Sequence, residues 1–255
     1  LTYNQEVTEQ NFEIIKDPRL INSKKDFMDQ FNFLINVRNE VSKANQAIID
    51  IRNIRKDLDY IMSKSYENDQ IDSLINAVGG NLPGAVIPDD KNIFDLSETD
   101  FDEVVEMNLK GTILPSIVFG EIIANQGKGS IVNYSSMSVD RVMTRVVGYS
   151  AAKAAMENFT RWMAVEMALK FGEGIRVNAI APGFFIGKQN KKLLLNKDGS
   201  LTDRGKKIIQ NTPMKRFGKP EELNGAIHFL CSDSSKFITG VVLTFEEGFS
   251  AFSGV

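Results

Sequence analysis

Residues 133–153 read NYSSMSVDRVMTRVVGYSAAK. An apolar run ends in a serine cluster, and thirteen residues after Ser136 a tyrosine, Tyr149, stands four positions before Lys153. On a helix, residues at i and i+4 share a face, so Tyr149 and Lys153 are expected side by side. Ser136 is expected at the carboxyl end of a strand, the rim where open α/β sheets hold their ligands. A phenol with a pKa of about 10 is a poor acid or base at neutral pH. A lysine ammonium within about 4–6 Å favours the phenolate and is expected to lower that value by roughly 1–3. Tyr149 would then exchange a proton with an alcohol or carbonyl, and Ser136 would hydrogen-bond the same oxygen.

The surrounding segments alternate between strand and helix grammar. IDSLINAVGG (71–80) reads as a short strand ending in glycines, and GSIVNYSS, GIRVNAIAPG and GVVLTFEEG as three more strands. Between them lie a helical run over residues 98–127 that holds Pro115, a helix from Gly148 closed by Gly172, and KPEELNGAIHFLCSD, with Pro220 in its first turn. Strands separated by crossover helices imply a parallel sheet covered on both faces. Ser97 is a plausible N-cap for the charged start at Glu98 to Glu106.

Composition divides the chain. All 19 glycines lie at or after Gly79, and residues 1–78 hold one proline, Pro18. In this first part Phe27, Phe31, Leu34, Val41, Ile48, Ile51, Ile54, Leu58 and Ile61 recur at helical spacing, which predicts one long amphipathic helix, or two, over residues 24–64. Ser23 and Asp26 are placed to form a capping box. The apolar stripe is expected to pack on a neighbouring element or a partner helix. We divide the chain into a helical segment, 1–70, and a catalytic part, 71–255.

The remaining bulk properties exclude several classes. A net charge of −3 gives no basic field for nucleic acid or anionic membrane. One cysteine and one histidine leave no internal disulfide and effectively no zinc site, so no metal is expected. No apolar run approaches the roughly 18 residues of a membrane span, and the polar start is unlike a signal peptide. A cytoplasmic setting follows as the expectation. Leu1 in place of an initiator methionine is the expectation for a fragment or processed product. His228 and Cys231, within an apolar helix, are expected in the core. Arg141, Arg145, Lys188, Lys191 and Lys192 read as a solvated face or as groups that steer an anionic substrate.

Taken together and in order, these motifs resemble the short-chain dehydrogenase/reductase family over residues 71–255. INAVGG resembles its Asn-Ala-Gly turn, which implies cofactor contacts at Asn76 and Gly79. MNLKG carries the helix asparagine, Asn108, which the resemblance places in a water-borne proton relay through Lys153. YSAAK supplies Tyr149 and Lys153, IVNYSS supplies Ser136, and RVNAIAPG resembles the loop beside the nicotinamide at Pro182 and Gly183. GGNLP, TPMKRFGKPEEL and the ending GFSAFSGV resemble the D-mannonate oxidoreductase (fructuronate reductase) branch. The likeness implies a Rossmann-like doubly wound sheet, NAD or NADP, a sugar-acid substrate and a homo-oligomer. Residues 30–61 are similar, more weakly, to the helical tail of sortilin-like glycoside hydrolases.

The sequence departs from that family pattern at the cofactor. The family's pyrophosphate is held by a Gly-rich turn at a helix N-terminus, and residues 1–78 contain no glycine with which to build one. The sheet is therefore expected to lack its first strands, with DSLIN at an edge, and cofactor binding is expected to suffer. Gly187 stands where the family commonly has threonine, Phe245–Glu246–Glu247 where Val-Asp-Gly is usual, and Val78 where alanine is common. These departures support a second expectation, a fused or truncated chain whose active-site residues are relics and whose helical N-terminus serves packing.

Overall fold

A computed structural model describes residues 2, 3, 6, 7, 23, 25, 26, 28, 29, 31–36, 38, 39, 71–187 and 190–254. It falls into two units, Leu1–Glu67 and Asn68–Val255.

In the first unit Thr2–Tyr3 pairs antiparallel with Glu6–Val7. The described residues from 25 to 39 are helical. Ser23 caps them as expected: its Oγ accepts from Asp26 N at 3.2 Å, while Ser23 N donates to Asp26 Oδ2 at 2.6 Å. Phe31 and Leu34, expected to be packed, are 57% and 56% exposed. The rest of the expected helix, residues 40–64, lies outside the described residues, as does the stretch that resembles the glycoside-hydrolase tail beyond residue 39.

The second unit is a four-stranded sheet in the order β1 (Ser73–Asn76), β2 (Gly129–Tyr134), β3 (Ile175–Pro182) and β4 (Val242–Phe245), every neighbouring pair parallel. The helices of the crossovers are α1 (Glu98–Val105), α2 (Gly111–Gln126), α3 (Val147–Phe171), α4 (Lys191–Leu194), α5 (Asp203–Gln210) and α6 (Asn224–Cys231). This is the parallel sheet predicted from the alternation and the Rossmann-like arrangement that the family resemblance implies.

Strands β2 and β3 are covered on both faces, which explains their near-continuous apolar sequences. Neighbouring residues serve opposite faces. Ile131, Ile175 and Val177 pack with Ile123 of α2 and Met163, Ala164 and Met167 of α3. Val132 and Ile180 pack with Leu223, Ala226 and Leu230 at α6. Each such side chain contributes roughly 1.5–3 kcal/mol on burial. In α6 the residues at 226 and 230 face inward, so His228 is exposed and Cys231 only half-buried, against the expectation of core burial.

Among the described residues β1 pairs with β2 alone and is the sheet's edge, as expected. A polar chain ties this edge down. The Asn76 side-chain amide donates to Ser116 Oγ (2.9 Å) and to Asn133 Oδ1 (2.8 Å), and Asn133 Nδ2 donates to Thr160 Oγ1 (2.8 Å). All four residues are buried. The chain stitches α2, β1, β2 and α3 in sequence, and buried polar groups satisfied in this way hold one register.

The helical run over 98–127 is not continuous. Ser97 Oγ caps α1 through Asp100 N, as expected, but residues Glu106–Lys110 form a π-turn before α2 begins. Pro115 lacks an N–H, and its ring crowds the carbonyl four residues back, at Gly111. The ladder opens just ahead of that carbonyl, where Gly111 N reaches back five residues to Glu106 O. Gly172, at φ +93, ends α3 as predicted.

Candidate active site

The carboxyl ends of β1, β2 and β3 converge on one rim, and most of the sequence-derived residues follow them. Asn76 ends β1 with Gly79 three residues on, Ser136 lies just beyond β2, and Pro182 closes β3 before Gly183. Met137 N donates to Pro182 O (3.1 Å) and Ser135 N to Ile180 O (2.7 Å), fixing the serine segment against the Pro-Gly loop.

Tyr149 occupies the first turn of α3 and Lys153 the next. Lys153 is 2% exposed. Its ammonium donates to Tyr134 O at 2.7 Å and to Val78 O at 3.2 Å, bridging the ends of β2 and β1 and leaving one of three donors over. Burial lowers its pKa to about 8. The ammonium lies 5.7 Å from the centre of the Tyr149 ring.

The expected lowering of the tyrosine pKa by this lysine is not what the structure gives. Burial raises the Tyr149 phenol above its ordinary value, and a hydrogen bond with Ser136 offsets only part of that rise. The physical reason is that desolvating the phenolate costs more than the neighbouring groups return. Lys153 is itself desolvated, and two main-chain carbonyls hold its charge.

Asn108 sits in the π-turn and is fully buried. Its amide donates to Val104 O (2.7 Å) and Gly80 O (2.8 Å), and its Oδ1 accepts from Gly80 N (3.1 Å). Asn108 therefore holds the glycine turn after β1. Gly79 adopts φ +140, and a Cβ there would stand 2.4 Å from Asn108 Oδ1 and 3.0 Å from Lys153 Nζ. Only glycine lets those two groups approach the turn. Asn76, expected at the cofactor, is buried and spends both its amide protons inside the sheet, on Ser116 and Asn133.

Three groups near the rim were not among the expected site residues. Ser135 Oγ donates to the buried Glu157 carboxylate at 2.5 Å, and Arg161 pairs with the other oxygen at 2.9 Å. A signal for this exists, because Tyr149, Lys153, Glu157 and Arg161 follow one another at intervals of four on α3. Glu247, at φ +47 beside Gly183, is the second. The third is Arg204 on α5, whose pKa burial lowers, followed by the like charge of Arg145. The other expected cations are engaged elsewhere or solvated: Arg141 donates to Ser250 O, and Lys191 and Lys192 are exposed. Lys188 lies outside the described residues.

Burial, and to a lesser degree Glu246 and Glu222, push the Glu247 carboxyl up to about 7, with Arg216 acting in opposition. A carboxyl raised in the folded state keeps a proton that the unfolded chain releases, so its contribution to stability is lost as pH rises from about 4.5 to about 7. Partial exposure of this group screens the effect. The expected result is a wild-type unfolding midpoint that falls relative to Glu247→Gln across that window, measured by thermal melts at matched ionic strength. Parallel curves would contradict the assignment.

The residues present fit the reactive end of a dinucleotide and not its pyrophosphate. Lys153 keeps a free donor at the rim, Gly79 opens the turn beside it, and Val78, larger than the usual alanine, lodges against Gly111. The glycine turn after β1 is taken up by Asn108, no G-x-G-x-x-G run occurs in the sequence, and Gly187 offers no hydroxyl. Among the described residues no cluster suited to a metal ion occurs, and no helix is long and apolar enough to cross a membrane.

Comparison with known proteins places this geometry. A family model described as "Enoyl-(Acyl carrier protein) reductase" matches residues 46–250. A Bacillus subtilis protein known as an uncharacterized oxidoreductase, UxuB, is 47% identical over 194 residues, covering 72% of this chain and 69% of its own. A Haemophilus influenzae protein proposed to be a D-mannonate oxidoreductase, whose crystal structure holds NAD, matches with TM-score 0.65 and 43% identity over 73% of this chain and 69% of that one. A short chain dehydrogenase from Bacillus anthracis matches with TM-score 0.61 and 32% identity, covering 75% and 69%. The chain belongs to the short-chain dehydrogenase/reductase family.

Proposed function

We propose that this chain is a nicotinamide-dependent oxidoreductase that interconverts a secondary alcohol and a ketone on a sugar acid of the D-mannonate/D-fructuronate kind. The observation that carries the reading is the placement of Lys153 one turn along α3 from Tyr149, its ammonium 5.7 Å from the phenol ring, with Ser136 just beyond β2 at the same rim of the sheet. Likeness to the NAD-bound Haemophilus protein supports the substrate class and the cofactor.

Bound NAD or NADP supplies or takes up a hydride. Tyr149 passes the accompanying proton to or from the substrate oxygen, and Ser136 holds that oxygen in line. Because burial keeps Tyr149 protonated at neutral pH, the resting residue is set to donate to a carbonyl, the direction of reduction. Lys153, held by Tyr134 O and Val78 O, orients the reacting end with its remaining donor. Asn108 braces the Gly79–Gly80 turn through which a dinucleotide would approach, and Pro182 and Gly183 bound the opposite side. In this reading residues 71–255 are the catalytic part and 1–70 a separate helical segment, in a cytoplasmic protein.

A homo-oligomer fits the exposed apolar residues of α2 and α3. Leu114 and Ile117, and Trp162, Val165 and Leu169, are each more than half exposed at helical spacing. The second reading, a relic site in a fused or truncated chain, draws on the absence of glycine from residues 1–78 together with the departures at Val78, Gly187 and Phe245–Glu247. Oxidation of NADH or NADPH by the purified chain with D-fructuronate, and the reverse with D-mannonate, separates the two. Turnover supports the first reading, and its absence with both cofactors supports the second.

A further inference from the structure

Among the described residues five buried side-chain atoms lack a hydrogen-bond partner: Ser138 Oγ, Arg145 Nε, Ser150 Oγ, Glu247 Oε2 and Ser250 Oγ. They fall in two segments, 138–150 and 247–250, which the Arg141–Ser250 hydrogen bond joins. Both segments follow the carboxyl end of a strand, β2 and β4 respectively. Buried polar atoms are almost always paired with protein or ordered water, so orphans in two joined segments beside one rim are places where water or a polar ligand completes the bonding.

Arg145 is the charged member of this set. It precedes Tyr149 by four residues and holds φ +79, a left-handed conformation that costs a side-chain-bearing residue energy and that persists where the surroundings enforce it. The enforcing contact is Ile87 N, which donates to Arg145 O at 3.0 Å from the loop after β1. The nearest counter-charge, Asp89, reaches Arg145 Nε only at 4.0 Å and its side chain is 90% exposed, too long and too wet for a strong pair. Arg204, from α5 beyond β3, feels the charges of both Arg145 and Asp89. It makes no hydrogen bond or ion pair of its own among the described residues. The segments after β2 and β1 thus bring Arg145 and one solvated aspartate together four residues before Tyr149, and the charge of Arg204, on α5 beyond β3, acts on the same pair.

We infer that Arg145 binds the carboxylate of the substrate, with Arg204 as the second cation of that subsite. The inference rests on the oxidoreductase reading for its substrate class, and it names the group that distinguishes a sugar acid from a neutral sugar at this rim. The guanidinium fork of Arg145 matches a carboxylate in geometry, and its Nε is the donor left without a partner.

The test is calorimetric titration of the 255-residue chain with D-mannonate, and with neutral D-mannitol, without cofactor. The decisive variant is Arg145→Gly, because glycine suits φ +79 and the variant is expected to unfold no lower than wild type. Affinity for D-mannonate should fall about 10–100-fold, the scale of a lost charge-assisted contact, while that for D-mannitol stays unchanged. Arg204→Gln should weaken D-mannonate in the same direction, and the neighbouring Lys206→Gln should not. Wild-type affinity retained in Arg145→Gly, or no D-mannonate binding by wild type at millimolar concentration, overturns the inference. The two proposals fail separately. Cofactor-dependent turnover of D-fructuronate with unchanged KM in Arg145→Gly sinks the anion subsite alone, whereas Arg145-dependent D-mannonate binding in a chain without turnover sinks the oxidoreductase reading alone.

Discussion

Replacing Tyr149 by phenylalanine is expected to lower turnover of a sugar-acid ketone by a factor of about 10²–10⁴, the range supplied by a positioned acid or base. The unfolding midpoint should move by no more than about 4 °C, since one hydroxyl hydrogen bond contributes roughly 1 kcal/mol. The separation of the two readouts matters because Tyr149 is packed in the first turn of α3 and a misfolded variant would also be inactive. The pH dependence adds a second signature. Reduction uses the protonated phenol, and burial raises its pKa, so the reductive rate should hold level through neutral pH. Oxidation uses the phenolate and should climb as pH rises. Steady-state rates in both directions check this, and an oxidative rate that is flat from neutral to alkaline pH would contradict the raised value.

The second large effect belongs to stability. Asn133 lies at the middle of the buried chain from Ser116 through Asn76 to Thr160. Asn133→Ala strands an amide proton of Asn76 and leaves Thr160 without its donor, and each buried orphan costs about 1–3 kcal/mol. A loss of about 3 kcal/mol lowers the midpoint by about 6–12 °C for a unit of this size. Because Asn76 ends the edge strand, the loss should fall first on β1, read as faster amide hydrogen exchange at residues 73–76 than at 130–133. Equal protection of the two strands in the variant would show that the polar chain does not hold the edge.

What could be read from the sequence followed from local spacing. Tyr149, Lys153 and Ser136 are separated by intervals that a helix and a strand end translate into one neighbourhood, and the alternation of apolar runs with capped helices sufficed for a parallel sheet. Ser23 and Ser97 announced their caps because a capping hydroxyl reaches only two or three residues. What escaped depends on depth or on distant chain. The direction of the Tyr149 shift is set by how many atoms bury the phenol, and no spacing encodes that. Arg204 meets the charge of Arg145 across 58 intervening positions, so their association is a property of the fold. The break at Glu106–Lys110 was half-legible: Pro115 signals a disturbed ladder, but whether a kink or a π-turn absorbs it depends on what packs against Asn108. Similarly, His228 sits in an apolar sequence yet faces outward, because the phase of α6 is set by Ala226 and Leu230 against the sheet.

Activity at this rim requires that it accept a nicotinamide dinucleotide, for which the described residues supply the reactive end and no G-x-G-x-x-G turn. The most direct measurement is thermal unfolding of the full 255-residue chain with increasing NADH and, separately, NADPH. A ligand that binds only the folded state, at about 100 times its dissociation constant, stabilises it by about 2.7 kcal/mol, a rise of about 5–10 °C for a chain of this length. The account predicts a saturable rise with at least one of the two. A cooperative transition that neither cofactor moves at millimolar concentration would contradict it and leave Tyr149 and Lys153 as remnants of a lost dehydrogenase.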